Sequence, residues 1–174
     1  MEHVKKRMLY DANAIGARVQ ELGKQISEDC PEGNLLLIGI LKGSFVFLAD
    51  LARSLSLPCQ IDFARISSYG TATVSSGELK VIMDVGIPVK DRHVILVDDI
   101  VDSGLTLSEY RRRIELSNPK SLKIAAMIDK TARREKHVHL DYYGFRIDDG
   151  FLVGYGLDWD EKFRNLGGIY VIEP

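Results

Sequence analysis

The stretch VILVDDIVDSGLTL, residues 94–107, decides how the rest of the chain is read. Val94 to Val97 is an unbroken apolar run, the pattern of a strand buried on both faces in a parallel sheet. It leads straight into two carboxylates, Asp98 and Asp99. In open α/β sheets ligands bind beyond the carboxyl ends of the strands, so these acids are placed for ligand contact. Asp102-Ser103-Gly104-Leu105-Thr106 then turns into a helix expected over about 105–116 and ended by Asn118-Pro119. Gly104 lets the backbone approach a ligand closely. The N–H groups of the helix start, with the Ser103 and Thr106 hydroxyls, make a cradle for phosphate. Asp102 and Ser103 could instead cap the helix. Capping alone does not call for two more acids at the strand end.

Outward from this stretch, strands and helices alternate. Ile15, Val19, Leu22 and Ile26 follow the possible cap Asp11 at helical spacing, and Gly33-Asn34 breaks that helix. A buried strand is expected over 35–40, a helix over 45–55 before Pro58, and further strands over 61–67, 79–83 and 122–128. The alternation indicates an α/β fold, a twisted central parallel sheet flanked by helices. Residues 67–77 are too rich in Ser, Thr and Gly for a core element and read as a mobile loop, a length that is often functional. From Lys130 onward only short β-like pieces remain, over 138–145, 151–153 and 169–172, expected to pack at one end of the sheet as a small cap. The expected division is a single domain over 1–174. Its core spans about 34–129, and a cap is built from 1–33 and 130–174.

Composition bounds the function. A chain of 174 residues, 45% hydrophobic and 28% charged, is one globular domain and not a disordered one. Its 23 Lys and Arg against 25 Asp and Glu leave a net charge of −2, which gives no sign of a general nucleic-acid binder. Cys30 and Cys59 lack C-x-x-C spacing and read as reduced thiols. The apolar run 35–40 is far short of the ~18 residues of a membrane helix, and the N-terminus has no signal core. A cytoplasmic location, with no membrane partner, is therefore expected. His137 and His139 alternate on a probable strand without a third ligand nearby, and read as exposed. Arg111-Arg112-Arg113 reads as a solvated or subunit-facing helix surface. Gly154-Tyr-Gly156 lacks the third glycine of a dinucleotide fingerprint, and there is no P-loop motif.

An apolar strand, two acids, two apolar residues, an acid and a Ser-Gly-x-Thr loop resemble the phosphoribosyl-diphosphate signature of type I phosphoribosyltransferases. Asp102 narrows the resemblance to the bacterial hypoxanthine-guanine branch, since the adenine, uracil and orotate enzymes usually lack an acid there. Three further matches spread over most of the chain. Leu41-Lys42-Gly43 is similar to the family turn, often holding a non-proline cis peptide, in which Lys42 and Gly43 bind pyrophosphate. Ser68-Tyr69 matches the pair in the family's lid, which closes to exclude water from a reactive sugar cation. FLVGYGLDWDEKFR, residues 151–164, resembles the family's hood.

The resemblance implies an Mg²⁺-dependent transfer of 5-phosphoribosyl to N9 of hypoxanthine or guanine, giving IMP or GMP and pyrophosphate in purine salvage. It implies that Asp98 and Asp99 hold the ribose hydroxyls, and that Ser103, Gly104, Leu105 and Thr106 anchor the 5′-phosphate. Asp102 then exchanges the purine N7 proton. Phe151 stacks on the purine, Leu152 bonds its edge through the backbone, and Lys130 donates to the 6-oxo oxygen. Arg164 contacts pyrophosphate, and Asp158 ligates Mg²⁺ with Asp98 and Asp99. A homodimer or homotetramer is also implied. Asp98 stands where many relatives have Glu, Leu105 where some have Lys, and Trp159 where Tyr is usual; none of these removes a group the chemistry needs. The alternatives are a xanthine-preferring enzyme of the same fold and, further off, an RNA-binding regulator built on it.

Overall fold

The protein was analysed as a computed structural model that describes residues 5–68 and 79–173. In chain order its elements are β1 (Lys6–Tyr10), α1 (Ala12–Asp29), β2 (Leu35–Leu41), α2 (Phe45–Ser54), β3 (Cys59–Ser68) and β4 (Leu79–Met83). They continue with β5 (His93–Val101), α3 (Leu105–Glu115), β6 (Ser121–Lys130), β7 (Tyr142–Ile147), β8 (Leu152–Val153) and β9 (Ile169–Ile172). Among the described residues the main sheet has six strands in the order β4-β3-β2-β5-β6-β7. The ladders from β3 through β7 are parallel, and β4 alone runs antiparallel, at one edge. A smaller antiparallel sheet, β1-β9-β8, stands beside it.

The central strands β2 and β5 are apolar on both faces because both faces are covered. One face packs with α1 and α2 around Ile15, Val19, Leu22, Ile26, Phe47 and Leu51. The other packs with α3 around Leu36, Leu96, Leu107, Tyr110 and Ile114. Burying each of these side chains contributes roughly 1.5–3 kcal/mol. Helix α1 starts where expected, with the Asp11 carboxylate accepting from Ala14 N at 2.8 Å. Among the described residues no helix is long and apolar enough to cross a membrane. Cys30 and Cys59 are free thiols.

Four expectations shift. First, β5 does not stop at Val97. Its pairing with β2 ends at the Gly39–Val97 pair, but β6 holds it on to Val101, so the two acids lie inside the strand. An apolar run marks where both faces are covered, whereas a strand ends where its last neighbour leaves. Second, the piece expected over 138–145 is strand only over Tyr142–Ile147, where it pairs with β6 as the edge of the main sheet. Third, β6 does not stop at Ile128; its pairing with β5 and β7 carries it on to Asp129 and Lys130. Fourth, β1 has no apolar signature (Lys6 and Arg7 open it) and exists through its ladder with β9. His137 and His139 are exposed as expected, but they sit in an irregular segment.

Candidate active site

Three adjacent parallel strands deliver their carboxyl ends to one edge of the sheet. β2 ends at Leu41 and leads into Lys42-Gly43, β5 carries Asp98 and Asp99 within its last four residues, and β6 ends in Asp129 and Lys130. Because β2 stops pairing four residues before β5 ends, the acids face a notch that the Leu41-Lys42-Gly43 turn fills. The Leu41–Lys42 peptide is cis. Gly43 lies so close to Asp99 that a Cβ there would overlap its carboxylate. Only glycine fits.

Asp98 and Asp99 form a partly buried acid pair, with Asp99 N donating to Asp98 Oδ1 at 3.0 Å. Burial, and then the Asp99 carboxylate beside it, push the Asp98 carboxyl well above the usual carboxylate range. Asp99 is also raised by burial, less so because hydrogen bonds and the charge of Arg164 oppose it. Two oxygen-donor groups held together at such cost fit a hard divalent cation. Asp158 is not brought to them. Its Oδ1 pairs with Arg164 Nη2 at 2.8 Å and its Oδ2 accepts from Glu161 N at 2.9 Å. Among the described residues no group of three or more acids, His or Cys could hold a metal.

Beyond β5 the chain turns through Asp102 and Ser103 to Gly104, whose φ of 78° is left-handed and leaves its α-carbon against the Lys136 carbonyl. Gly104 is the N-cap of α3 and provides no side-chain cap bond. Ser103 Oγ lies a long 3.4 Å from Leu105 N. The first turn of α3 therefore keeps amide groups for an anion, and the capping reading of Asp102 does not hold. A cleft of about 560 Å³ adjoins this loop, lined by Asp102, Ser103 and residues 132–135. Lys130, 6% exposed, points its Nζ at Asp102 Oδ2 (3.5 Å) and at Asp149 Oδ1 (3.7 Å). Asp102 Oδ1 is buried without a hydrogen-bond partner.

The small sheet supplies the facing wall. Phe151 and Trp159 are not core residues; they are 52% and 39% exposed and meet edge to face at 5.9 Å. Ile172 N donates to Phe151 O at 2.8 Å, which makes Phe151 and Ile172 the bonded pair of the β8–β9 ladder. In an antiparallel ladder the next pair, Leu152 and Val171, then turns its backbone groups away from the partner. Since β8 is an edge strand, the N–H and C=O of Leu152 face the open side. The loop from 154 to 164 backs onto the Leu41-Lys42-Gly43 turn, where Gly156 abuts the Gly43 carbonyl. There Arg164 Nη1 donates to Gly156 O at 2.8 Å, and Glu161 bridges Lys42 and Arg164 at 2.9 and 3.1 Å.

Ser68 ends β3 and Tyr69 lies outside the described residues, as does most of the loop expected to form a lid. Sequence reasoning missed three residues. Arg134 binds the carbonyls of Val101, Asp102 and Lys130 and the Asp129 carboxylate, so it ties β5, the α3 loop and β6 together. Asp129, 5% exposed, also receives Arg146. Arg134 sits in an irregular segment, where nothing in a single sequence marks an arginine as interior. Glu161 could have been found, since Asp158, Glu161 and Arg164 recur at three-residue spacing.

An open parallel sheet with acids near the carboxyl end of a central strand and a helix starting at a glycine beside them defines a class, the open α/β proteins whose ligand crevice lies at the strand ends. Within that class, residues 6–160 match the family model described as the phosphoribosyl transferase domain, and the chain belongs to that family. It is 40% identical to the hypoxanthine-guanine phosphoribosyltransferase of Bacillus subtilis, over 100% of this chain and 97% of that one. It is 41% identical to the Mycobacterium avium protein of the same name, covering 97% of this chain and 86% of the relative. A crystal structure of a hypoxanthine phosphoribosyltransferase from Staphylococcus aureus superposes with a TM-score of 0.94 at 35% identity, covering 99% of this chain and 94% of that one.

Proposed function

We propose that this chain salvages 6-oxopurines, transferring 5-phosphoribosyl from its 1-diphosphate to N9 of hypoxanthine or guanine and releasing pyrophosphate. The observation that carries this reading is the pairing of buried Lys130 with Asp102, whose second carboxylate oxygen has no partner. A cationic donor beside a carboxylate acceptor complements the O6 and N7–H edge of a 6-oxopurine. An adenine would set its 6-amino donor against the lysine, leaving both groups mismatched.

The base would lie on Phe151, with Leu152 backbone groups reading its other edge. The 5′-phosphate would sit on the amides and hydroxyls of Ser103, Gly104, Leu105 and Thr106, providing orientation and remote binding energy. Asp98 and Asp99 would take the ribose hydroxyls and place negative charge near the sugar, which becomes cation-like as its bond to the leaving group breaks. They would also hold Mg²⁺, which when bound neutralises charge on the diphosphate. Lys42, the Gly43 backbone and Arg164 would receive the pyrophosphate, and Asp102 would take the N7 proton as N9 becomes nucleophilic. The lid role of Ser68 and Tyr69 belongs to the same proposal, as does a site lying in the cleft between the main sheet and a hood formed by the small sheet and the 154–164 loop. A cytoplasmic location and assembly as a dimer or tetramer complete it.

Incubation with phosphoribosyl diphosphate, Mg²⁺ and one base at a time, followed by chromatography, tests the reading. Nucleotide with hypoxanthine or guanine and none with adenine is expected. Product with xanthine alone would replace the substrate assignment, and no product with any oxopurine would reject it.

A further inference from the structure

We infer that Glu161 is an internal stand-in for pyrophosphate, occupying the two cations of the leaving-group site and competing with the product for them. The inference rests on the proposed function above and adds a residue to it. Glu161 presents one carboxylate oxygen to each cation, Oε1 to Lys42 Nζ at 2.9 Å and Oε2 to Arg164 Nη2 at 3.1 Å. Lys42 and Arg164 come from opposite walls, the β2 turn and the hood loop, so the carboxylate spans the gap that an anion between them would fill. With Glu161 withdrawn, Arg164 keeps Asp158 at 2.8 Å while Lys42 loses the carboxylate that pairs it here, so the net positive charge of the pair rises and draws a phosphate group to it.

The geometry lets this anion leave cheaply. The Glu161 side chain is 60% exposed, so withdrawing it into water needs only side-chain rotation. Its backbone stays put. Glu161 N donates to Asp158 Oδ2 at 2.9 Å, and φ is 61° here and 52° at Asp160, left-handed values of a tight turn that the Asp158 bond closes. Arg164 also remains in place when Glu161 swings away, because the Gly156 carbonyl and Asp158 hold it from the other side. A tethered competitor has a high local concentration, so it re-enters as soon as pyrophosphate loosens and speeds its departure. A residue that merely braced the two cations would have the opposite effect, since losing it would weaken pyrophosphate binding.

The experiment is calorimetric titration of the full chain with pyrophosphate in Mg²⁺ buffer, for the wild type, Glu161→Gln and Glu161→Asp, with melting curves to establish folding. Glu161→Gln keeps the shape without the charge. It should bind pyrophosphate on the order of three- to tenfold more tightly, the range that two exposed ion pairs account for. Its product-inhibition constant for pyrophosphate should fall in parallel, while the KM for hypoxanthine stays unchanged. Glu161→Asp, which retains the charge on a shorter arm, should fall between the two. Nucleotide formation by the wild type with unchanged or weaker pyrophosphate binding in Glu161→Gln would overturn this inference and leave the function standing. A wild type that neither binds pyrophosphate nor makes nucleotide would overturn both.

Discussion

Asp102 has one carboxylate oxygen 3.5 Å from Lys130 Nζ and the other buried with no partner, which leaves a site for a proton that the protein does not itself supply. Replacing it with Asn keeps the shape and removes the base. Asp102→Asn is expected to lower kcat by about 10²–10⁴-fold, the usual worth of general acid–base help, while the donor KM moves far less. Steady-state kinetics with both substrates reads the split. Equal losses in the two would make Asp102 a binding residue. At this scale the sequence was most informative where a motif fixes backbone and side chain together, as in residues 98–106. It was least informative for Asp129 and Arg134. Their partners lie on other elements, and no local pattern records them.

Helix α3 and the loop before it are held by elements on either side. On one side Arg134 collects four oxygens from β5, the loop and β6, and shares buried Asp129 with the more exposed Arg146. Arg134→Ala would leave Asp129 with one outer partner, so a stability loss of about 3 kcal/mol is expected, the low end for breaking a buried pair. Urea unfolding reads this, and a raised KM for the donor should accompany it because the loop proposed to hold the 5′-phosphate loosens. On the other side Asp84, just past β4, accepts from Tyr110 Oη and Arg113 Nε, each at 3.0 Å. Burial alone would raise its carboxyl, but the bonds from Arg113, Tyr110 and Val85 N outweigh it and hold the pKa below the usual value. A depressed carboxylate stabilises the fold above the unfolded pKa near ~4, and that contribution is lost as pH falls through the lower folded value. Urea midpoints between pH 3 and pH 7 should therefore drop on the acid side, and Asp84→Asn should flatten that part of the fall. An unchanged slope would remove Asp84 from the account. The elements themselves were largely legible, since amphipathic spacing gave α1 and apolar runs gave β2, β5 and β6. Their ends were not. β5 outlasts its apolar run by pairing with β6, and β1 exists only because β9 lies beside it.

Across the whole molecule, acids gather at one strand end while Lys42, Lys130 and Arg164 approach from other elements, and the basic run of α3 is spent internally. Arg111, Arg112 and Arg113 pair with Glu115, Glu109 and Asp84. Phe45, Ile61, Ile82 and Met83 are each more than 40% exposed, and the proposed assembly would cover some of this apolar surface. Light scattering after size exclusion is expected to give twice or four times the chain mass, and a monomer at micromolar concentration would reject self-association. The sequence by itself determined the α/β architecture, the acid pair and the loop that leads into α3, because burial periodicity and a contiguous motif are local properties of the chain. Only the tertiary structure decided which sheet received β7, that Phe151 and Trp159 stand in solvent, and that Glu161 lies between Lys42 and Arg164. Those outcomes depend on which segments far apart in the chain come to share an edge or a face, and that is set by packing of the whole chain.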